Sequence, residues 1–390
     1  MKFNKWTVAL AATGVVSLAS VMQADESHPV NTALSSTTLS GYVDTSAVWN
    51  FGTGTKVANR FVNTDSTRQD GFNLNSVKLQ LEKPIDEGTW TAGYKVETMF
   101  GPDANALPGV LSANGGVAIK QAYAALRAPV GNGIDFKIGQ FDPIVGYEVT
   151  DSSANPNFSR SFGFNNLEPF GHTGILASYQ VNEIIAVTAG VANGDSSLGG
   201  LQGGGLTAGS SRGAFAESSK VYMGALSVKA PESAGWLSGS TLFVGVVNGD
   251  RTGNKNDPTL LYTGVTLATP IEALSIGASA DLLFNADAGA AFDKSYANAY
   301  ALYAGYKITD KLKLNNRFEY ATSGYGAFLP RGINAADKVI GDTVTLDYAL
   351  WANVVTRAEF RWDHAADGRG AFDNGAKNDL SLLANVVYKF

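Results

Sequence analysis

Thr356-Arg357-Ala358-Glu359-Phe360-Arg361-Trp362 puts all of its charge on one side of an extended chain. Arg357, Glu359 and Arg361 face one way, and Thr356, Ala358, Phe360 and Trp362 face the other. Side chains alternate across a strand with a period of two, so this is a strand with two unlike faces. Leu312 to Tyr320 repeats it, with Lys313, Asn315, Arg317 and Glu319 opposed to Leu312, Leu314, Phe318 and Tyr320. Trp90 to Phe100 sets Lys95 and Glu97 against Trp90, Ala92, Tyr94, Val96 and Phe100. Asn75 to Glu82 sets Ser76, Lys78, Gln80 and Glu82 against Val77, Leu79 and Leu81. Two settings suit such strands: a soluble sandwich whose charges meet water, or a membrane barrel whose apolar face meets lipid.

Connector lengths choose between them. The pattern predicts strands at 38–50, 73–83, 88–99, 117–129, 132–141, 171–182, 184–194, 220–230, 237–249, 258–269, 272–285, 295–308, 311–322, 340–350, 352–363 and 378–390. Short connectors at 84–87, 130–131, 183, 231–236, 270–271, 309–310 and 351 then alternate with long ones. The long ones are 51–72, 100–116, 142–170, 195–219, 250–257, 286–294, 323–339 and 364–377. A barrel threaded through an outer membrane has brief periplasmic turns and extended outer loops, whereas a sandwich has no reason to alternate so. The expected fold is all-β: a transmembrane antiparallel β-barrel of about sixteen strands, spanning 38–390.

Both ends of the chain fit an exported barrel. Lys2 and Lys5 precede an uncharged stretch from Trp6 to Val21, then Met22-Gln23-Ala24 and the acidic pair Asp25-Glu26. That is the layout of a signal peptide over 1–24, cleaved near Ala24, and the stretch falls short of the ~20 apolar residues a helical span requires. Polar residues 25–37 read as a flexible periplasmic lead-in. At the other end Leu382, Ala384, Val386, Tyr388 and Phe390 share a face. Tyr388 and the terminal Phe390 resemble the closing strand by which the barrel assembly machinery recognises outer-membrane proteins.

Composition narrows the chemistry. The chain has zero Cys, which rules out disulfides, c-type haem attachment and thiolate metal sites. Net charge is -6, with 29 Lys and Arg scattered among 35 acidic residues, so no basic face suits a nucleic acid. His28, His172 and His364 are the only histidines. They form no metal-ligand cluster, and no G-x-S-x-G elbow accompanies them. His172, between Gly171 and Thr173, reads as a hydrogen-bonded structural residue. No cofactor, metal or catalytic residue is expected.

Charges fall opposite the lipid face: Asp44, Lys78, Lys95, Glu97, Lys137, Asp281, Lys313, Arg317, Glu319, Asp347, Arg357, Glu359 and Arg361. Turned to lipid, Arg or Lys would cost about 2–4 kcal/mol each near the midplane, so they are expected to line a water-filled lumen. A barrel of about sixteen strands has room for one. Both signs occur in similar numbers, so strong ion selectivity is not expected. Connector 142–170 differs from the others in carrying Tyr147, Glu148, Phe158, Arg160, Phe162, Phe164 and Phe170 with Pro143, Pro156 and Pro169. Its aromatics are too costly to leave in water, which points to a loop folded inward as a constriction, with Glu148 and Arg160 near the narrowest point. A packed outer cap is the rival.

Gly139-Gln140-Phe141, Gly146-Tyr147-Glu148, Asn157-Phe158-Ser159-Arg160-Ser161, Pro169-Phe170-Gly171-His172-Thr173-Gly174 and Gly190-Val191-Ala192-Asn193-Gly194 resemble the central block of the OmpL-like β-barrel porin family. Leu39-Ser40-Gly41-Tyr42-Val43-Asp44 is similar to that family's first strand, while Phe158 stands where Tyr is expected. The resemblance implies an outer-membrane barrel with porin activity and no settled solute. With the charged lumen, the leading reading is a general or weakly selective channel through which small hydrophilic solutes and ions diffuse passively, with outer-membrane lipids around it. A homotrimer is expected by analogy with sixteen-stranded porins alone. Two other classes stay open: a barrel enzyme, such as a lipase or protease, and a plugged structural or adhesive barrel.

Overall fold

The computed structural model describes residues 30–31, 37–51, 70–86, 90–105, 107, 111–113, 116–193, 220–249, 258–285, 296–324, 328, 336–370, 372 and 375–390. Sixteen long strands form one antiparallel sheet: β1 Thr38–Phe51, β2 Gly71–Lys83, β3 Thr91–Phe100, β4 Val117–Ala128, β5 Ile134–Phe141, β6 His172–Gln180, β7 Ile185–Asn193, β8 Lys220–Lys229, β9 Thr241–Gly249, β10 Thr259–Leu267, β11 Leu274–Phe284, β12 Ala297–Lys307, β13 Leu312–Ser323, β14 Lys338–Trp351, β15 Val354–Ala365 and β16 Asn378–Lys389. Each strand pairs with the next, and β16 pairs with β1 from Leu380↔Phe51 to Lys389↔Tyr42. At the seam the Gly41 N–H donates to the Phe390 carbonyl at 2.9 Å, and the Phe390 N–H donates back at 3.0 Å. The sheet therefore closes and leaves no unpaired edge for lipid to meet.

Alternation sets the two faces as expected. On β15, Arg357, Glu359 and Arg361 are buried inside while Phe360 is exposed outside; on β13, Arg317 and Glu319 are buried while Leu314 and Phe318 are exposed.

The differences from expectation are local. Strand β9 starts at Thr241, not 237, because Glu232–Leu237 forms a 3-10 segment kinked at the positive-φ Gly235 and followed by a second positive-φ glycine, Gly239. In β2 the register slips by one residue opposite Asp44 and Thr45, so Asn75 and Ser76 both turn inward. Within the expected flexible lead-in, Val30–Asn31 pairs with Leu39 and Thr38. The connector after β3 also has structure, a short helix at Pro102–Asn105 and a strand at Leu111–Ala113 on β4. The expected signal peptide at 1–24, and the Gly-rich stretch 199–211, lie outside the described residues.

Candidate functional site

The connector between β5 and β6 builds itself from short polar links before it meets the wall. Asn155 accepts from the Val149 N–H and donates to the Val149 carbonyl, both at 2.8 Å, and also to the Asp151 carbonyl at 2.6 Å. Asp151 caps the 3-10 turn Ser152–Ala154, and Ser161 caps the helix Phe162–Asn166 by accepting from the Phe164 N–H at 3.1 Å. Arg160 donates to the carbonyls of Phe158 (2.8 Å), Val149 (3.0 Å) and Thr150 (3.2 Å). It is 0% exposed. Gly146 has φ +124°, in the region that favours glycine, and a side chain there would run into Glu168.

One side of this loop is polar and binds the inner faces of β13–β15 and β2. Glu359 accepts the backbone N–H groups of Phe158 (2.6 Å) and Ser159 (2.9 Å) together with the Thr345 hydroxyl (2.6 Å). Glu319 accepts the Phe162 N–H at 2.6 Å. Arg317 bridges Glu148 at 2.8 Å and Glu319 at 2.7 Å and donates to the Ser159 carbonyl at 2.7 Å. Arg361 donates to the Arg160 carbonyl at 2.7 Å and pairs with Asp363 at 2.9 Å. Arg357 donates to the carbonyls of Ser152 and Asn155 while pairing with Asp347 at 2.7 Å. Lys78 bridges Asp151 at 2.6 Å. Burial alone would raise the Asp151 carboxyl, but the Lys78 ammonium and the Ser153 donors beside it hold it below the usual carboxylate range.

The other side is apolar. Ile144, Val145, Phe162 and Leu167 join one buried cluster with Leu176, Met223, Phe243, Val247, Leu260, Tyr262 and Leu283 from β6 and β8–β11. Phe164 packs edge-on against Phe170 at 5.1 Å, in a second cluster with Met99, Leu107 and Ala118. Tyr147 stacks on Tyr303 at 4.1 Å, in space left by Gly277, where a Cβ would run into the tyrosine ring. The loop thus contacts both walls of the barrel at once. At its end Glu168 is buried near Asp281 and Glu148; burial first, then those two acids, push its carboxyl well above the usual range.

Three expectations need correcting. The central wall charges were expected to stand in water; instead Arg317, Glu319, Glu359 and Arg361 are at most 2% exposed, because the loop's backbone supplies the partners water would have given. Glu148 and Arg160 were expected near the narrowest point, facing wall charges with their own charge acting on ions. Glu148 does meet a wall charge, Arg317, but both are buried, Arg160 on its own loop's carbonyls. His172 was expected to be hydrogen-bonded, yet neither ring nitrogen has a partner among the described residues, and its ring lies 6.3 Å from Phe141. Lys95 and Lys137 do keep some exposure, Lys95 3.6 Å from Glu97 and Lys137 over the Tyr123 ring at 5.1 Å. Tyr388 is exposed on the outer face, beside Phe390.

Lys120, which the sequence pattern did not single out, pairs with Asp142 and donates to the Phe170 carbonyl at 2.9 Å. A register slip between Glu97 and Thr98 leaves Lys120 and Gln121 both buried, so alternation could not reveal it.

No curated protein matches this chain. Among solved structures it is similar to the outer membrane channel DcaP of Acinetobacter baumannii, with TM-score 0.57 and 13% identity over 93% of this chain and 100% of that one. It is also similar to Salmonella typhi OmpF in complex with daunomycin (TM-score 0.60, 14% identity, 91% and 97%). A third is the trimer form of OmpT, an outer membrane protein of Vibrio cholerae (TM-score 0.51, 14%, 91% and 99%). At such identities the likeness shows the fold. A family model described as "Putative beta-barrel porin-2, OmpL-like" matches residues 36–390, and the chain belongs to that family of outer-membrane porins.

Proposed function

We propose that this porin is a passive channel for small hydrophilic solutes and ions, driven by the solute gradient with no catalytic step, and that connector 142–170 is its constriction. The supporting observation is the loop's seat: backbone N–H groups of Phe158, Ser159 and Phe162 on the wall carboxylates Glu359 and Glu319. A loop tied into the lumen narrows the water column, and charges on low-dielectric walls then act on every permeating ion. The chain is exported by a signal peptide cleaved near Ala24. The barrel assembly machinery recognises Tyr388 and Phe390, and three copies associate among outer-membrane lipids, as the trimer form of OmpT suggests.

One observation favours a second reading, a plugged barrel: the central charges are dry and bonded to the loop's backbone. Planar-bilayer recording of purified full-length protein, with and without residues 151–166, decides between them. Wild-type conductance that rises on deletion supports a constriction. A silent wild type whose deletion variant conducts makes the loop a plug.

A further inference from the structure

Between two aromatic levels the outer wall is apolar, as a surface bathed in acyl chains must be. On β12–β15 it shows Leu302, Leu314, Phe318, Val344, Leu346 and Phe360, below Tyr300 and Tyr320 and above Tyr306 and Tyr348. Two residues break this. Asn315, Arg317 and Thr343 are buried inside, so by alternation Asn316 and Asp342 point outward. They are adjacent and hydrogen-bonded, Asn316 Nδ2 donating to Asp342 Oδ1 at 2.7 Å and, less closely, to the Thr343 carbonyl at 3.3 Å. Both are half-buried.

Their depth makes the pair unusual. Asn316 lies four residues from Tyr320 on the same strand, about 13 Å along it and about 10 Å in depth once strand tilt is allowed for. The apolar band is only about 25 Å tall. Asp342 sits across from Phe318 and Trp362, and Asn316 across from Ala304 and Val344. Both hydrogens of the Asn316 amide are engaged, and among the described residues no hydrogen bond is seen to the second Asp342 oxygen or to the Asn316 side-chain carbonyl. Acyl chains offer none.

We propose that the outer face of β12–β15, centred on Asn316 and Asp342, seats a second copy of this chain. Copies in one membrane share an orientation, so a rotation axis along the membrane normal keeps identical residues at identical depth and, passing beside this face, brings the pairs of neighbouring copies together. The partner's Asn316 amide then reaches the free Asp342 oxygen by exchanging its longer bond to the Thr343 carbonyl. Small side chains help the walls approach: Ala304 flanks Asn316, and Ala358 and Ala384 pair with each other on the neighbouring strands. The inference deepens the homo-oligomer part of the proposed function and does not depend on conduction.

The test uses full-length protein in native outer membranes. Because the chain has zero Cys, Val344→Cys introduces a lone thiol beside the pair, and Val187→Cys, exposed on β7, serves as the control. A short bis-maleimide should link V344C to itself in most molecules and V187C in few. Asn316→Leu with Asp342→Leu, combined with V344C, should abolish that link and give monomers by native mass spectrometry in mild detergent, while conductance per barrel stays unchanged. Equal linking at both sites, linking of V344C to a different protein, or a double variant that keeps its oligomeric state overturns the proposal. Wild-type protein that is monomeric yet conducts refutes this interface and leaves the channel reading intact; linked wild-type copies that do not conduct do the reverse.

Discussion

The loop between β5 and β6 meets two walls that hold it by different physics. Against β13–β15 it is held by charge: Glu359, Glu319, Arg317, Arg361 and Arg357 spend their hydrogen-bonding capacity on its backbone. Against β6 and β8–β11 it is held by contact among Leu176, Met223, Val247, Leu260 and its own Ile144, Val145 and Leu167. The charged wall is directional, because each bond fixes one backbone group and losing a partner strands a buried charge or donor. The apolar wall is forgiving, because its energy follows area and volume. The charged wall therefore sets where the loop sits, and the apolar wall adds hold without address.

Glu359→Leu is the sharpest way to break that contrast. It strands the N–H groups of Phe158 and Ser159 and the Thr345 hydroxyl in a dry interior. Removing one partner from a buried charged network costs about 3–5 kcal/mol. The heat-modifiable band should shift to lower temperature, and single-channel conductance should rise as the loop leaves its seat. A variant with wild-type conductance and melting would mean that the polar contacts carry no load.

The same contrast explains what the sequence made legible. Strands β13 and β15 are visible by alternation because their inner faces are charged. Strands β8 and β10 are not, since Val221, Met223, Leu260 and Tyr262 inside are as apolar as Tyr222 and Leu226 outside. Only the rhythm of connector lengths located them. The start of β9 was misplaced because Trp236-Leu237 extends the apolar pattern into what is a 3-10 turn. In the site, residue types were readable and partners were not: Glu148 and Arg317 are separated by 169 positions, and nothing local says they meet. Without that pairing the wall charges read as solvated, when the loop had taken water's place.

The second prediction concerns pH. Burial, with Asp281 and Glu148 near it, raises the Glu168 carboxyl well above its ordinary value, so the folded loop holds that proton more tightly than the unfolded chain does. Its contribution is fully present below the ordinary carboxylate range and is lost as pH rises toward the raised value. Proteolysis within 142–170 should accelerate on going alkaline, and Glu168→Gln, which keeps the group neutral, should flatten the dependence. An alkaline acceleration that Glu168→Gln leaves unchanged would refute it.

The apolar wall should respond less. Ile144→Val removes one methylene from the buried cluster, at about 0.5–1.5 kcal/mol. Melting should drop slightly with conductance unchanged. If conductance changes as much as in Glu359→Leu, the two walls do not differ as described.

The smallest effect concerns charge that still reaches water. The Arg160 guanidinium is fully buried on loop carbonyls, so permeating ions feel it weakly, and replacing it acts through the loop's fold. Lys137 keeps partial exposure, with its ammonium over the Tyr123 ring and no carboxylate bridging it among the described residues. Lys137→Gln removes one positive charge while keeping a side chain of similar reach. Reversal potential in a salt gradient should move modestly toward cations, more at low salt, where the screening length grows to roughly 30 Å at 0.01 M. Conductance at high salt should stay the same. Arg160→Gln should show the opposite profile: altered conductance and melting at any salt, without a salt-dependent change in selectivity. If Arg160→Gln instead moves reversal potential as Lys137→Gln should, its charge faces the pore after all, and the loop sits differently against the charged wall.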